Sequence, residues 1–136
     1  MSNTTDEFSF ILKPSAISGA SVGIFAVHAI AAGTKLAITP TPEEEPMRLM
    51  REMDVPEALR IYCIAREGDL LACPAAFNHM WIGWYVNHSA TPNAEEREEE
   101  RYYAVRDISA GEEITIDYNQ FNEPEEKKED YYRQHP

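Results

Sequence analysis

Cysteine is scarce in this sequence. The two copies, Cys63 and Cys73, do not form the closely spaced Cys-x-x-Cys pair on which cysteine zinc sites generally depend. The sequence therefore argues against a zinc cluster built on cysteine, and we expect no bound metal.

The two cysteines fall in a predicted hairpin. Residues 61–65 and 70–73 predict strands that are joined by a tight turn over residues 66–69. In that register Cys63 lies opposite Ala72, and the second cysteine points to the other face of the sheet. We therefore expect no disulfide between them.

Long apolar runs are also absent. The longest apolar stretch, residues 24–32, is interrupted by His28, and the start of the chain has no basic segment followed by an apolar one. A membrane-spanning helix needs about 20 apolar residues, and a secretory signal needs that basic and apolar order. We expect neither a signal peptide nor a transmembrane segment, and a cytoplasmic or otherwise intracellular protein.

Basic residues are few relative to acidic ones. There are 12 Lys and Arg against 24 Asp and Glu, which gives a formal net charge of -12. That charge repels nucleic acid phosphates and anionic lipids, so we expect no direct nucleic acid or membrane partner, and a basic protein as the partner instead. An acidic surface that only maintains solubility is the alternative.

The length and the hydrophobic pattern predict one domain with a mostly β fold and short helices. A chain of 136 residues with 43% hydrophobic content is long enough to bury one core and too short for two. The methionine-rich residues 47–53 predict a short helix that ends before Pro56, and the charged C-terminal residues are helical or frayed. Period-two patterns predict the remaining strands at residues 8–12, 24–27, 36–38, 102–105 and 113–118.

Three segments carry the candidate chemistry. Residues 19–26 read Gly-Ala-Ser-Val-Gly-Ile-Phe-Ala, residues 87–93 read Asn-His-Ser-Ala-Thr-Pro-Asn, and residues 111–118 read Gly-Glu-Glu-Ile-Thr-Ile-Asp-Tyr. Taken alone, the first is typical of many glycine turns, and the tyrosine of the third is typical of a strand residue bonded to backbone. The second places several polar groups beside aromatic residues, and such groups need partners if they are buried.

In order and spacing, the three segments together resemble the SET domain of protein-lysine methyltransferases. The resemblance covers residues 8–118 and leaves residues 119–136 as a short charged C-terminal tail. It implies the SET-domain fold, with small curved β-sheets in which the second and third segments interlace as a pseudoknot. It also implies transfer of methyl groups from S-adenosylmethionine to a lysine side chain of a basic protein, possibly histone-like.

The resemblance also implies roles for individual residues. Tyr118 takes the position of the active-site tyrosine, and the first and second motifs take the position of the cofactor site. Tyr85 and Tyr103, together with Trp84 and Tyr102, are candidate walls of the substrate channel, although each is at least as well suited to the core. The implied cofactor-binding residues are Ser21, Gly23, Asn87 and His88.

Two departures from the family pattern affect these roles. Ser21 stands where the first motif usually has glycine, and its Cβ restricts how closely the backbone approaches a cofactor. The cysteine-rich zinc segment that follows many SET domains is absent after Tyr118, so Phe121, Tyr131 or Tyr132 becomes a candidate to close the cofactor site.

Other readings of the sequence remain open. The acidic run from Glu95 to Glu100 is either a solvated hairpin tip or a surface that attracts a basic peptide. A non-catalytic SET-like protein-binding module, with its acidic face available for a partner or a homodimer, is the alternative to an enzyme. A metal hydrolase lacks the helical His-x-x-x-His spacing that would support it.

Overall fold

The chain forms short strands in three small sheets, in a computed structural model that describes residues 3–98 and 101–132. The predicted mostly β fold with short helices is confirmed, and the described helices are short 3-10 segments at Glu52–Asp54, Glu57–Tyr62, Ile82–Tyr85, Tyr118–Phe121 and Glu125–Lys127. The strands are β1 (Phe10–Pro14), β2 (Val22–Ala26), β3 (Lys35–Leu36), β4 (Arg48–Arg51), β5 (Ile64–Ala65), β6 (Leu70–Cys73), β7 (Asn87–His88), β8 (Ala94–Glu98), β9 (Arg101–Ala104) and β10 (Glu113–Ile116).

The sheet to which all three motifs contribute a strand has the order β1-β2-β10-β7. Its pairs are antiparallel except for β10 with β7, which run parallel. The second sheet, β3-β9-β8, and the third, β4-β6-β5, are antiparallel throughout. Apolar side chains of β2, β3, β9 and β10 fill the main core, where Ile24, Ile114 and Ile116 are fully buried.

The helix predicted around residues 47–53 is wrong. Residues 48–51 form β4, which pairs with β6 from Arg48 opposite Cys73 to Arg51 opposite Leu70. Isolated helices this short are unstable in water, whereas the free edge of β6 satisfies the backbone groups of an extended strand. Only Glu52–Asp54 keeps a helical turn.

The predicted hairpin is confirmed, but its register differs by one residue. Ile64 lies opposite Ala72 and Ala65 opposite Leu71, so the turn has three residues, with Gly68 at φ +69°. A residue in the left-handed conformation is typical of three-residue hairpin loops. The pairing predicted between Cys63 and Ala72 is therefore wrong.

The C-terminal segment, as far as it is described, packs against the domain. Tyr132 is 7% exposed and Lys128 is 8% exposed. The Lys128 ammonium donates to Asn119 Oδ1 at 2.7 Å and pairs with Glu125 at 2.8 Å. Within residues 3–98 and 101–132, no helix is long and apolar enough to cross a bilayer.

Candidate active site

Pairing of β7 with β10 brings the second and third motifs side by side. Asn87 lies opposite Thr115 and His88 opposite Ile116 in parallel register. The Ser89 amide extends the pairing by donating to the Ile116 carbonyl at 2.9 Å. The end of β10 therefore delivers Tyr118 next to His88.

The side chain of Asn93 stabilises this pairing through hydrogen bonds to the backbone of β10. Its side chain is 1% exposed, its Oδ1 accepts the Thr115 amide at 2.8 Å, and its Nδ2 donates to the Glu113 carbonyl at 2.7 Å. Nδ2 also contacts the Glu112 carboxylate at 3.1 Å. A buried amide that satisfies backbone groups on β10 explains the asparagine of the Pro-Asn sequence.

His88 and Tyr118 are joined through the backbone. The Tyr118 amide donates to His88 Nδ1 at 3.0 Å, which requires that ring nitrogen to be unprotonated. Burial lowers the pKa of His88 below 6.5, against the opposing effect of the Asp117 carboxylate. The neutral imidazole is therefore the form that fits this site.

The Tyr118 hydroxyl is directed back into the protein. It donates to the Val86 carbonyl at 2.6 Å. Burial, followed by the nearby Tyr131, Glu123 and Glu113, raises the pKa of Tyr118 above its usual range. Tyr118 is therefore a neutral phenol that offers a fixed oxygen rather than a base.

Aromatic rings from the C-terminal segment surround this pair. Tyr131 and Tyr132 place their ring centroids 5.8 and 5.6 Å from that of His88. Tyr132 is 5.2 Å from Tyr118, and Phe121 covers another side of Tyr118 at 5.4 Å. Residues that follow the third motif thus form an aromatic cluster around His88 and Tyr118.

Gly23 and Asn87 both lie against the carboxylate of Glu113, a residue to which the sequence assigned no role. Asn87 Nδ2 donates to the Val22 carbonyl at 2.9 Å and to Glu113 Oε2 at 2.8 Å. The Ser15 hydroxyl donates to the same carboxylate at 2.8 Å. A Cβ built on Gly23 would stand 2.2 Å from Glu113 Oε2, so the glycine makes room for this network.

Ser21 lies at the exposed start of β2. Its carbonyl accepts the Ser15 amide at 3.1 Å, which closes the loop before the strand. Gly19, within that loop, has φ +83° and no heavy atom within 4 Å of a built Cβ. The loop before β2 therefore borders open space at Gly19.

Two of the candidate channel residues, Tyr85 and Tyr103, lie in different surroundings. Tyr85 packs edge-on against Tyr62 at 5.4 Å and borders the main core. The Tyr103 ring lies 5.2 Å from the Arg97 guanidinium, and its hydroxyl donates to Glu98 at 3.2 Å. Both stand apart from the cluster around Tyr118 in the contacts they make.

A cavity of about 480 Å³ opens beside Phe121. Trp84 and Tyr102 contribute aromatic walls, and Arg66 and Glu96 contribute charge. Because Phe121 also packs on Tyr118, one ring separates the cavity from the site tyrosine. Trp84 and Tyr102 are two of the four residues that the sequence suggested as channel walls, and Tyr103 lies on the opposite face of β9 from Tyr102.

The described part of the acidic run is a strand rather than a loop tip. Glu95 and Glu96 belong to β8 and lie opposite Tyr103 and Tyr102. Glu95 pairs with Arg97 at 2.7 Å. The run's last two residues, 99 and 100, lie outside the described residues. Across the described ranges, no group of three His, Cys, Asp or Glu side chains could hold a metal ion.

A family model described as SET domain matches residues 21–119. No curated protein matches the chain. The match covers the second and third motifs and residues 21–26 of the first, and it ends one residue after Tyr118.

Solved structures show the same fold. Chaetomium thermophilum Polycomb Repressive Complex 2 bound to GSK126 has 16% identity and a TM-score of 0.59 over 85% of this chain. A structure of ctPRC2 in an autoinhibited conformation bound to S-adenosylmethionine has 17% identity and a TM-score of 0.58. This chain spans only 16% of the length of either. A proposed histone methyltransferase of Plasmodium falciparum has 20% identity and a TM-score of 0.51, over 82% of this chain and 93% of that one.

Proposed function

Because the chain belongs to the SET domain family, we propose that it transfers methyl groups from S-adenosylmethionine to a lysine side chain of a basic protein such as a histone. The observation that carries the proposal is the joining of His88 to Tyr118. The Tyr118 amide bonds to the imidazole, and the hydroxyl is fixed 2.6 Å from the Val86 carbonyl. Two motif residues far apart in sequence thus form one rigid unit.

The residues around this unit fit the cofactor. Tyr131 is 66% exposed beside His88 and offers a ring face on which an adenine can stack. Both N–H groups of Asn87 Nδ2 are already used within the protein, which leaves its Oδ1 and backbone groups for a ligand. The cofactor supplies a methyl group activated on a sulfonium, and carbonyl oxygens and aromatic rings favour such a cation.

The chain's own contribution is positioning. A lysine ammonium has no lone pair and a usual pKa of about 10.4, so the site must receive or create the neutral amine. An aromatic, partly dry channel lowers the pKa of an entering lysine because it disfavours the charged form. Tyr118, held neutral by burial, provides a fixed hydroxyl oxygen that can orient the amine for in-line attack.

The cavity beside Phe121 supports a route for the substrate. Its volume of about 480 Å³ is enough for a side chain and adjoining backbone, and Phe121 separates it from Tyr118 by one ring. The net charge of -12 favours a lysine-rich partner over a nucleic acid.

One observation favours a second candidate, a non-catalytic SET-like binding module. Ser21 carries a Cβ where the first motif usually has glycine, next to the loop that borders open space. If that loop admits no cofactor, the same surface would serve only to bind a basic partner.

Two experiments distinguish the enzyme from the binding module. The first is calorimetric titration with S-adenosylmethionine, and the second is an assay for transfer of labelled methyl groups to basic proteins. An enzyme should bind the cofactor in the micromolar range, roughly -8 kcal/mol, and label lysine. Mass spectrometry then locates the modified residue. Binding of basic protein without cofactor binding or labelling would support the module instead.

A further inference from the structure

The hairpin register places Cys63 directly across from Cys73. Ile64 lies opposite Ala72 and Ala65 opposite Leu71, so the next pair outward joins the two cysteines. The Cys63 backbone is extended, at φ -102° and ψ 157°, so the pairing geometry continues to this residue. The chain has no other cysteines that could compete.

The hydrogen bonds of the hairpin show whether Cys63 and Cys73 form a hydrogen-bonded or a non-hydrogen-bonded pair. The Arg66 amide donates to the Leu70 carbonyl, whereas the Cys63 amide donates to the Arg60 carbonyl and not to β6. Ladder bonds alternate in antiparallel strands, so Cys63 and Cys73 form a non-hydrogen-bonded pair. Such pairs have Cα atoms about 4.5 Å apart, within the range of about 4.4–6.8 Å that disulfides span.

The two thiols lie close enough to interact. Burial, followed by the neighbouring Cys73 thiol, raises the pKa of Cys63 to about 12. Each thiol donates to a backbone carbonyl at 3.6 Å, Cys63 to Leu59 and Cys73 to Leu71. Cys73 is fully buried at 0% exposure, whereas Cys63 is half-buried. An oxidant can therefore reach Cys63 first, with Cys73 positioned behind it.

We propose that Cys63 and Cys73 are the site of a reversible intramolecular disulfide, formed by exchange with a small-molecule disulfide such as oxidised glutathione. The Cys63 thiolate attacks one glutathione sulfur, and the bond between the two glutathione sulfurs breaks as one thiolate leaves. The Cys73 thiolate then attacks Cys63 Sγ and releases the second glutathione. The two cysteine protons end on the two released thiols, and the protein dithiol is oxidised by two electrons.

The disulfide would fix the strand on which the C-terminal segment rests. The Ala65 amide donates to the Glu123 carboxylate at 2.7 Å, and Arg66 donates to the Phe121 carbonyl at 2.9 Å. Glu123 also accepts from the Tyr132 hydroxyl. The link between residues 63 and 73 therefore lies two residues from Ala65, the first of the residues that hold the C-terminal segment.

The test uses the full chain, incubated with oxidised glutathione and then analysed by intact mass, by thiol counting after denaturation and by peptide mapping without reductant. The expected product is a monomer that has lost two hydrogens, has no free thiol and contains a peptide linking Cys63 to Cys73. Its Tm should rise on the order of 5 °C, and reduced glutathione should reverse the change.

Two variants distinguish stepwise exchange from non-specific oxidation. Cys73→Ser should stop at a stable mixed disulfide with one glutathione on Cys63. Cys63→Ser should remain unmodified while folded, because Cys73 is fully buried. The proposal is overturned if the wild-type protein retains glutathione on Cys63, forms disulfide-linked dimers, or closes the bond only after unfolding. None of these readouts depends on methyl transfer.

Discussion

Among single side chains, the Tyr118 hydroxyl is the group most closely tied to the proposed chemistry. Tyr118→Phe keeps the ring that packs on His88 and Phe121 and removes only the oxygen. We expect turnover to fall on the order of 10²-fold, about 2.7 kcal/mol, with little change in cofactor affinity. Steady-state kinetics and calorimetry measure the two effects separately.

Tyr103→Phe is the matched control for this change. Its hydroxyl bonds to Glu98, and its ring lies on Arg97, away from the cluster around Tyr118. Equal losses in both variants, or wild-type methyl transfer by Tyr118→Phe, would remove Tyr118 from the reaction.

The His88 imidazole predicts a pH dependence of stability. Its folded-state pKa is lowered below the ordinary 6.5, chiefly by burial. The unfolded chain therefore binds a proton first as the pH falls, so the contribution of His88 is complete above about pH 6.5 and is lost below it. Denaturant unfolding between pH 7.5 and about 5 measures the loss.

His88→Asn provides the comparison, since its amide oxygen can accept the Tyr118 amide but does not titrate in this range. The variant should lose less stability than the wild type over the same interval. If the two pH profiles are parallel, other groups cause the acid sensitivity.

Where strands meet, the Glu113 carboxylate binds β10 to Asn87 and Ser15. Gly23→Ala would drive a Cβ to 2.2 Å from Glu113 Oε2, so either the carboxylate moves and loses its partners or the strands separate. We expect a loss of about 1–3 kcal/mol in the free energy of unfolding.

A double-mutant cycle tests the cause of that loss. In a Glu113→Ala background the obstructing carboxylate is gone, so Gly23→Ala should cost clearly less than in the wild type. An identical cost in both backgrounds would show that the glycine is required for a reason other than Glu113.

Tyr132 brings the C-terminal segment into contact with the candidate site. Tyr132→Ala removes a ring that lies 5.6 Å from His88 and 5.2 Å from Tyr118. If this ring supports the cofactor site, affinity for S-adenosylmethionine should fall about 10-fold, roughly 1.4 kcal/mol. Tyr132→Phe keeps the ring and loses only the bond to Glu123, so its affinity should stay near that of the wild type. Calorimetry on folded protein gives the comparison, and equal affinities for wild type and Tyr132→Ala would contradict the role.

Over the molecule as a whole, the charge of -12 predicts how substrate binding depends on salt. The Debye length falls from about 10 Å at 0.1 M salt to about 3 Å at 1 M, so attraction to a basic peptide weakens as salt is added. KM for a lysine-rich peptide should therefore rise with ionic strength, while S-adenosylmethionine affinity changes little. A KM that is independent of salt would indicate that the acidic surface only maintains solubility.

The sequence by itself determined the family and the mostly β architecture. The second and third motifs are local patterns, so their residue types and order can be recognised without knowing any tertiary contact. The family match over residues 21–119 confirms the predicted resemblance to the SET domain. Alternating apolar residues also predicted most strands, because the period of two follows from backbone geometry alone. The roles assigned to Ser21, Gly23, Asn87, His88 and Tyr118 remain predictions.

Only the tertiary structure decided which strands pair and which side chains meet across them. The residues around Met50 became a strand because β6 offered a free edge, a fact that no local propensity contains. Glu113 acquired its place between Gly23 and Asn87 because β10 lies between β2 and β7. The single-residue shift that aligned Cys63 with Cys73 followed from the three-residue turn at Gly68. The first two outcomes depend on contacts between distant parts of the chain, whose energies exceed local preferences of a few tenths of a kcal/mol per residue.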